Sequence, residues 1–392
     1  MKKKIYFVAG ELSGDTHGAK LIEEIKAKNS DIEYFGLGGP KMNSLSSHIR
    51  TDLTKISALG FTDVLKNYFS YRKIFYSAIR EIKSTKPDLI ILIDFPGFNL
   101  RLSKKLNNFS PIFYYITPQL WAWGKRRIYI LKKFVKQLFV LFPFEKTFYE
   151  EYNIPVTYVG HPMTDKIKLP IPQEEIKEIK DKYSLSDNPI IGILPGSREK
   201  EVKRILPPLL EGAQLLKQEI PNAQFILSQT SHIKKELYDH ILNKHGLGLN
   251  IHFLKDQHYD VIKASDVLAV CSGTATFETA LHEKPFFLVY KTSFLTYLIG
   301  RILIQIPFLG IVNILSKKKV ISELIQYDCT AEKIKTEMAL LISDEVLKKE
   351  QIKSFAQIRD ELSLGDSAKR IAEDTTNFLL NQTKTPDLSK NT

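Results

Sequence analysis

The sequence predicts an α/β protein of two doubly wound, Rossmann-like domains facing a cleft, with a helical C-terminal segment. Three observations predict it. Short apolar runs alternate with helices of 3.6-residue periodicity. Several of those runs are apolar at nearly every position, as in parallel strands covered on both faces. The alternation also stops at a proline-bearing stretch and then restarts.

In the first half the runs at 4–9, 33–37, 89–93, 112–116, 137–141 and 156–159 read as strands, with helices at 68–84 and 144–152. Regular structure breaks at 160–173, where His161-Pro162, Pro170 and Pro172 interrupt it. Strands then resume at 189–194, 224–228, 250–254, 266–270 and 286–289. The helix after the first of these carries one apolar stripe, Val202, Ile205, Leu206, Leu209, Leu210, Ala213 and Leu216. The expected division is 1–165, 166–350, a helical segment at 351–382 packing back on the first domain, and a disordered polar tail at 383–392.

Composition narrows the class. The chain has 392 residues, 43% of them hydrophobic, enough for sizeable cores. Its two cysteines, Cys271 and Cys329, are far apart and lack metal-ligand spacing, which fits a reducing cytosol. The apolar run after Lys2-Lys3-Lys4 ends by Gly10, too short for a signal-peptide core, so it reads as a strand. The run at 294–309 is broken by Arg301 and Gln305, so no membrane-spanning helix is expected. A formal charge of +12 favours anionic partners such as nucleic acid, anionic lipid or phosphorylated ligands. No basic stripe or RNA-binding motif supports nucleic acid.

Four segments at strand ends are candidates for chemistry. Gly10-Glu11-Leu12-Ser13-Gly14-Asp15 lies between the first strand and a helix expected near Thr16. Its glycines allow a tight turn and close ligand approach, and Glu11 stands at a strand's carboxyl end. The same segment also reads as a strand-to-helix turn capped by Asp15. Asp94 ends the most apolar strand, and Pro96-Gly97 turns the chain out of the sheet. A poorly solvated carboxylate there has a raised pKa and suits a general base, though Asp also caps turns. Gln119-Leu120-Trp121-Ala122-Trp123 holds both tryptophans, followed by Lys125, Arg126 and Arg127. Such aromatic residues stack on sugars or line acyl pockets, or simply pack a loop.

The fourth is Pro195-Gly196-Ser197-Arg198, paired with Ser272-Gly273-Thr274-Ala275-Thr276-Phe277-Glu278. Turn amides, Arg198 and a helix N-terminus near Thr274 suit a diphosphate, and Glu278 suits ribose hydroxyls. No Walker motif occurs, which favours a nucleotide-sugar over ATP. No Asp-x-Asp triplet or paired histidine spacing offers metal ligands, and His17 reads as a helix-face residue or ligand hydrogen-bonder. Phe61, Val64, Leu65, Tyr68, Phe69, Arg72 and Lys73 mix large apolar side chains with cations, as in segments at an anionic membrane surface. They also fit a helix packed on the sheet.

Taken in order, the segments resemble lipid A disaccharide synthases. The resemblance is carried by Gly10-Glu11-x-Ser13-Gly14-Asp15-x-His17-Gly18-Ala19, Ile93-Asp94-x-Pro96-x-Phe98-Asn99 and Pro118-Gln119-x-Trp121-Ala122-Trp123. It continues through Pro143-Phe144-Glu145, Val159-Gly160-His161-Pro162, Leu194-Pro195-Gly196-Ser197-Arg198-x-x-Glu201 and Ser272-Gly273-Thr274-Ala275. Asn313-Ile314-Leu315 and Glu323-Leu324-x-Gln326 complete it. The chain departs from the family at Val312, where Pro is common, and at Ser316-Lys317-Lys318-Lys319.

The resemblance implies an inverting GT-B glycosyltransferase with no cofactor and no metal. The implied donor is UDP-2,3-diacylglucosamine and the acceptor is 2,3-diacylglucosamine 1-phosphate. The expected place is the cytoplasmic side of the inner membrane, bound peripherally to its anionic surface, with no nucleic-acid partner. A homodimer is compatible with the helical C-terminal third. Asp94 matches the general base. Glu11, Ser13, Gly14, Asp15, His17, Asn99, Gln119 and Trp121 match the acceptor side. Gly196, Ser197, Arg198, Glu201, Ser272, Gly273, Thr274, Thr276, Glu278, Asn313, Glu323 and Gln326 match the nucleotide-sugar side. Nonhydrolysing UDP-N-acetylglucosamine 2-epimerases and the lipid II glucosaminyl transferase share the architecture and are the alternatives.

Overall fold

The computed structural model describes residues 2–51, 53–54, 68–303 and 306–382. Their contacts divide the chain into two units, Met1–Asp165 together with Leu362–Thr392, and Lys166–Glu361.

The first unit is built on β1 (Lys3–Ala9), β2 (Ile32–Leu37), β3 (Ile49–Arg50), β4 (Leu89–Ile93), β5 (Ile112–Tyr115), β6 (Gln137–Val140) and β7 (Val156–Tyr158). They lie in the order β3-β2-β1-β4-β5-β6-β7, all pairs parallel. Successive side chains go to opposite faces. Tyr6, Val8, Ile90 and Leu92 enter one core, while Ile5, Phe7, Ala9, Leu89, Ile91 and Ile93 enter the other. Both faces are covered by helices, which is why β4 is apolar throughout. Strand order reverses between β1 and β4, paired as far as Ala9 and Ile93, so the loops after those strands diverge and leave room for a ligand.

The second unit holds β8 (Ile190–Leu194), β9 (Gln224–Gln229), β10 (Ile251–Lys255), β11 (Val267–Cys271), β12 (Phe286–Tyr290) and β13 (Glu323–Ile325). Their order is β10-β9-β8-β11-β12-β13, again parallel, with the reversal between β8 and β11. The helix Glu199–Glu219 sinks the expected stripe into a core with Ile193, Leu227 and Met338.

The expected boundary at 350 falls inside the helix Glu345–Leu362, nearly all of which belongs to the second unit. Phe355 stacks on Phe286 at 5.5 Å, and Gln351 accepts the Phe286 amide at 3.0 Å. Only the following helix, Ser367–Gln382, returns to the first unit. Its Ile371, Ala372 and Leu379 join the core of Ile22 and Ile25, and Phe378 meets Phe113 at 5.0 Å. The tail at 383–392 lies outside the described residues.

The helix Tyr68–Thr85 buries Ile74, Ala78 and Ile82, spaced by four, and sets Phe75 and Tyr71 against Phe98. One face is therefore core, while Phe69, Arg72 and Lys73 are exposed. Phe61, Val64, Leu65 and the Tyr68 side chain lie outside the described residues.

Candidate functional site

Asp94 follows β4 in the left-handed region, φ +47°, and so does Phe95, φ +51°. Neither is glycine, so the turn needs outside support. Three groups hold it. The Asp94 amide donates to the Tyr115 carbonyl at 2.9 Å, and the Asp94 carbonyl accepts from Tyr114 Oη and Asn99 Nδ2, each at 2.7 Å. Phe95 closes over Gly10, where a Cβ would stand 2.1 Å from the ring, so this crossing requires glycine. Burial first, then the charge of Glu11, push the Asp94 carboxyl up to about 6, against a lowering hydrogen bond from the Phe95 backbone. Such a group is largely ionised at neutral pH yet accepts a proton readily, which suits a general base.

The neighbouring residues divide into two kinds. Glu11 and Ser13 are exposed beside the turn, with Glu11 at the N-cap of the helix Leu12–Lys28. That helix starts a turn earlier than expected. His17 lies edge-on to Tyr115 at 5.9 Å, and Gln119 is exposed. Asp15 is instead 1% exposed and accepts from the amides of Gly39, Lys41 and Met42 at 2.8, 3.0 and 2.9 Å. It caps the helix Pro40–Leu45, not its own helix, because Gly18, where a Cβ would stand 2.5 Å from Met42 Sδ, and Gly39, where one would stand 2.6 Å from the Asp15 carboxyl, let the two helices approach. Asp15→Ala is expected to cost about 2 kcal/mol of stability by calorimetric melting, from the lost charge-assisted cap.

Asn99 is likewise fully buried and reads as the clasp of the Asp94 turn. Trp121 is half-buried. Its indole donates to Glu145 at 3.1 Å and its ring meets Phe144 edge-on at 4.9 Å. Complete desolvation pushes Glu145 up to about 7, although the Trp121 indole and the Phe142 and Leu141 amides donate to it. Trp123 is the exposed tryptophan, covered by the Arg127 guanidinium at 4.2 Å.

In the second unit Gly196 adopts φ +107°, opening the turn after β8. The turn amides expected to bind an anion are already taken. Glu201 accepts from Ser197 N at 3.1 Å and Arg198 N at 3.2 Å, and from Arg198 Nη1 at 2.9 Å. This is a cap on the helix Glu199–Glu219, and it turns Glu201 into a framework residue. The Arg198 side chain remains mostly exposed.

Across the reversal point, Ser272, exposed Gly273 and exposed Thr274 lead into the helix Thr274–Leu281, whose first-turn amides suit an anion. Thr276 turns its hydroxyl back to the Gly273 carbonyl at 2.7 Å and supports that turn. Glu278 is gripped by Tyr259 Oη at 2.9 Å, with His258 Nε2 at 3.6 Å. Burial raises its carboxyl, but His258 and Tyr259 outweigh burial and hold it below the usual range.

Three further residues of the nucleotide set are spent internally. Asn313 is 0% exposed; its amide donates to the Ile321 carbonyl and Glu323 Oε1 and accepts from the Val320 and Ile321 amides, all within 3.0 Å. Glu323 also accepts the Leu309 and Gly310 amides. Gln326 clasps the Thr292 backbone with both ends of its amide at 3.1 Å. Sequence reasoning missed Tyr114, Tyr259 and His258. A tyrosine inside an apolar strand carries no mark distinguishing it from core. Among the described residues no group of three or more His, Cys, Asp or Glu could hold a metal ion.

The fold is shared with solved structures. The S. aureus MnaA–UDP co-structure matches 98% of the chain and 99% of its own at TM-score 0.65 and 14% identity. Neisseria meningitidis UDP-GlcNAc 2-epimerase bound to UDP-GlcNAc gives 0.60 at 15% identity, covering 96% of this chain and 100% of its own. Acinetobacter baumannii MurG gives 0.54 at 14%, with the same coverage. These likenesses establish a GT-B-like fold and no more. Sequence goes further. The family model for lipid-A-disaccharide synthetase matches residues 5–373. Lipid-A-disaccharide synthase 1 of Legionella pneumophila (strain Philadelphia 1) is 36% identical over 369 residues, 92% of this chain and 93% of the relative. The synthase of Geobacter metallireducens is 35% identical over 373 residues, 94% and 96%. With relatives this similar from end to end, the chain belongs to the lipid-A-disaccharide synthase family of glycosyltransferases.

Proposed function

We propose that the chain transfers the sugar of UDP-2,3-diacylglucosamine to the primary hydroxyl of 2,3-diacylglucosamine 1-phosphate. The hydroxyl oxygen bonds to the donor's anomeric carbon as that carbon's bond to the diphosphate oxygen breaks. The configuration inverts, giving a β-1,6-linked disaccharide 1-phosphate. Asp94 takes the hydroxyl proton, and UDP leaves with the bonding electron pair. The observation that carries this reading is a carboxylate raised to about 6 at the reversal point of a sheet whose family makes this disaccharide.

Arg198 and the first amides of the helix Thr274–Leu281 meet the charge growing on the diphosphate, and Glu278 meets the ribose. Asn99 and Tyr114 act by fixing the Asp94 turn, and Asn313, Glu323 and Gln326 by fixing the loops after β12 and before β13. Glu11, Ser13, His17, Gln119 and Trp121 surround the acceptor. The substrates carry acyl chains, which supports a peripheral place at the anionic surface of the inner membrane, on its cytoplasmic side, and a homodimer is compatible with the helical C-terminal third.

Arg198→Ala is expected to weaken UDP binding about tenfold to a hundredfold by titration calorimetry, from one charge-assisted contact, with unchanged melting. The reaction itself is tested by UDP release. Release that requires the acceptor supports transfer. Turnover of the UDP-sugar without acceptor supports the epimerase alternative.

A further inference from the structure

We propose that the helix Phe294–Leu303 of the second unit is a docking surface for an anionic lipid bilayer. This rests on the reading above, in which both substrates are lipids. In this helix Leu295, Leu298, Ile299 and Ile302 fall at i, i+3, i+4 and i+7, the spacing of one helical face. In a globular protein that stripe is the face that enters a core. Here all four are exposed, at 66, 45, 48 and 73%, and Phe294 and Leu303 beside them at 62 and 52%. The helix contains no buried residue. It is tethered from its other side, where half-buried Tyr297 meets Tyr327 edge-on at 6.1 Å. An apolar stripe of this size left in water marks an interaction surface.

Charge identifies the occupant. The stretch 291–322 carries Lys291, Arg301, Lys317, Lys318 and Lys319 and no Asp or Glu. Arg301 and all three of the consecutive lysines are exposed. The carboxylate next to Tyr327, Asp328, is paired with Lys333 at 2.5 Å. A protein partner would bring its own hydrogen-bonding groups and a shaped groove. An apolar stripe in a stretch whose only charged residues are cations matches acyl chains beneath anionic headgroups. Among the described residues no helix is long and apolar enough to cross a membrane, so this one lies on the surface. The lysines at 317–319, where the chain departs from its family's pattern, become headgroup contacts, each worth about fivefold in partitioning near an anionic surface.

The test uses the full chain and two vesicle types, phosphatidylglycerol mixed equally with phosphatidylcholine, and phosphatidylcholine alone. The wild type is expected to sediment with the mixed vesicles, more weakly at high salt, and poorly with the neutral ones. Leu298→Asp/Ile302→Asp is expected to lower partitioning at least tenfold, since two side chains leave the acyl layer. Its turnover of detergent-dispersed substrates should equal the wild type's, while turnover of vesicle-embedded substrates falls. Leu298→Ser/Ile302→Ser decides the matter if the aspartate pair fails to fold. Undiminished partitioning of a folded variant overturns the proposal, as does equal binding to neutral vesicles. Loss of self-association by sedimentation velocity with vesicle binding intact also overturns it and makes the helix a contact between copies. Failure of the transfer reading shows separately, as no disaccharide from detergent-dispersed substrates while the vesicle results hold.

Discussion

Asp94→Asn lowers kcat about a hundredfold to ten-thousandfold, the range for losing a positioned general base. Asparagine keeps the side chain's shape and leaves the clasp by Tyr114 and Asn99 on the backbone carbonyl untouched, so folding and UDP affinity stay as in the wild type. The pH dependence carries the sharper signature. Transfer needs the ionised carboxylate, so kcat/KM in the wild type falls below a midpoint of about 6. Part of that elevation comes from Glu11, so Glu11→Gln moves the midpoint to lower pH. Stability follows with a definite sign. The folded-state value lies above the ordinary one, so the folded protein holds the extra proton between about pH 4 and pH 6 and loses stability as pH rises through that window. Asp94→Asn removes this penalty. Measured by urea unfolding, the variant should be more stable than the wild type at pH 7.5, by up to about 3 kcal/mol, and no different near pH 4. A carboxylate that only caps a turn would show none of the rate loss.

Asn313→Ala is the largest expected change in stability. All four hydrogen-bonding positions of the Asn313 amide are used inside the second unit, in a side chain with no exposure. Alanine leaves the Val320 and Ile321 amides and the Ile321 carbonyl without these partners and takes one donor from Glu323. Buried groups left unpaired cost about 1–3 kcal/mol each, and the total here is about 4 kcal/mol. In a unit of this size that corresponds to a fall of about 10 °C in melting temperature. The same variant separates a framework role from a ligand contact. UDP affinity, measured by titration at a temperature where the variant is folded, should be close to the wild type's. A direct nucleotide contact would instead lower affinity with little effect on melting. Asn313→Asp should not rescue stability, because it exchanges the donor facing Glu323 for a second carboxylate.

The fold was legible where the hydrophobic pattern is long and unambiguous. Leu89–Ile93 shows as a fully apolar run because helices cover both its faces, and its limits in the structure are those read from sequence. The edge strands β3 and β13, of two and three residues, were missed because a period of two cannot register over so few positions. Asp94 stood out as a carboxylate ending an apolar strand before Pro96-Gly97. Its left-handed backbone did not, because that conformation is imposed from β5 through Tyr114 and Tyr115.

Asp15 and Glu201 show the opposite limit. Each sits in a turn that looks built for a ligand, yet each spends its carboxylate on backbone amides, Asp15 on a helix distant in sequence and Glu201 on its own. The spacing from Arg198 to Glu201 is that of a capping box and was readable as one. The partner of Asp15 was not, because nothing in the first turn of a helix announces which later helix packs against it. Residue types and spacing therefore marked candidate positions, while tertiary contacts show which of those side chains are spent on holding the fold in place.

The most direct measurement is product analysis by mass spectrometry after mixing the protein with detergent-dispersed UDP-2,3-diacylglucosamine and 2,3-diacylglucosamine 1-phosphate in EDTA. The wild type is expected to give a disaccharide monophosphate and one UDP per product, with the yield from Asp94→Asn reduced at least a hundredfold at equal protein. Disaccharide formed equally fast by folded Asp94→Asn, or UDP-sugar consumed with no disaccharide, would contradict transfer with Asp94 as the base.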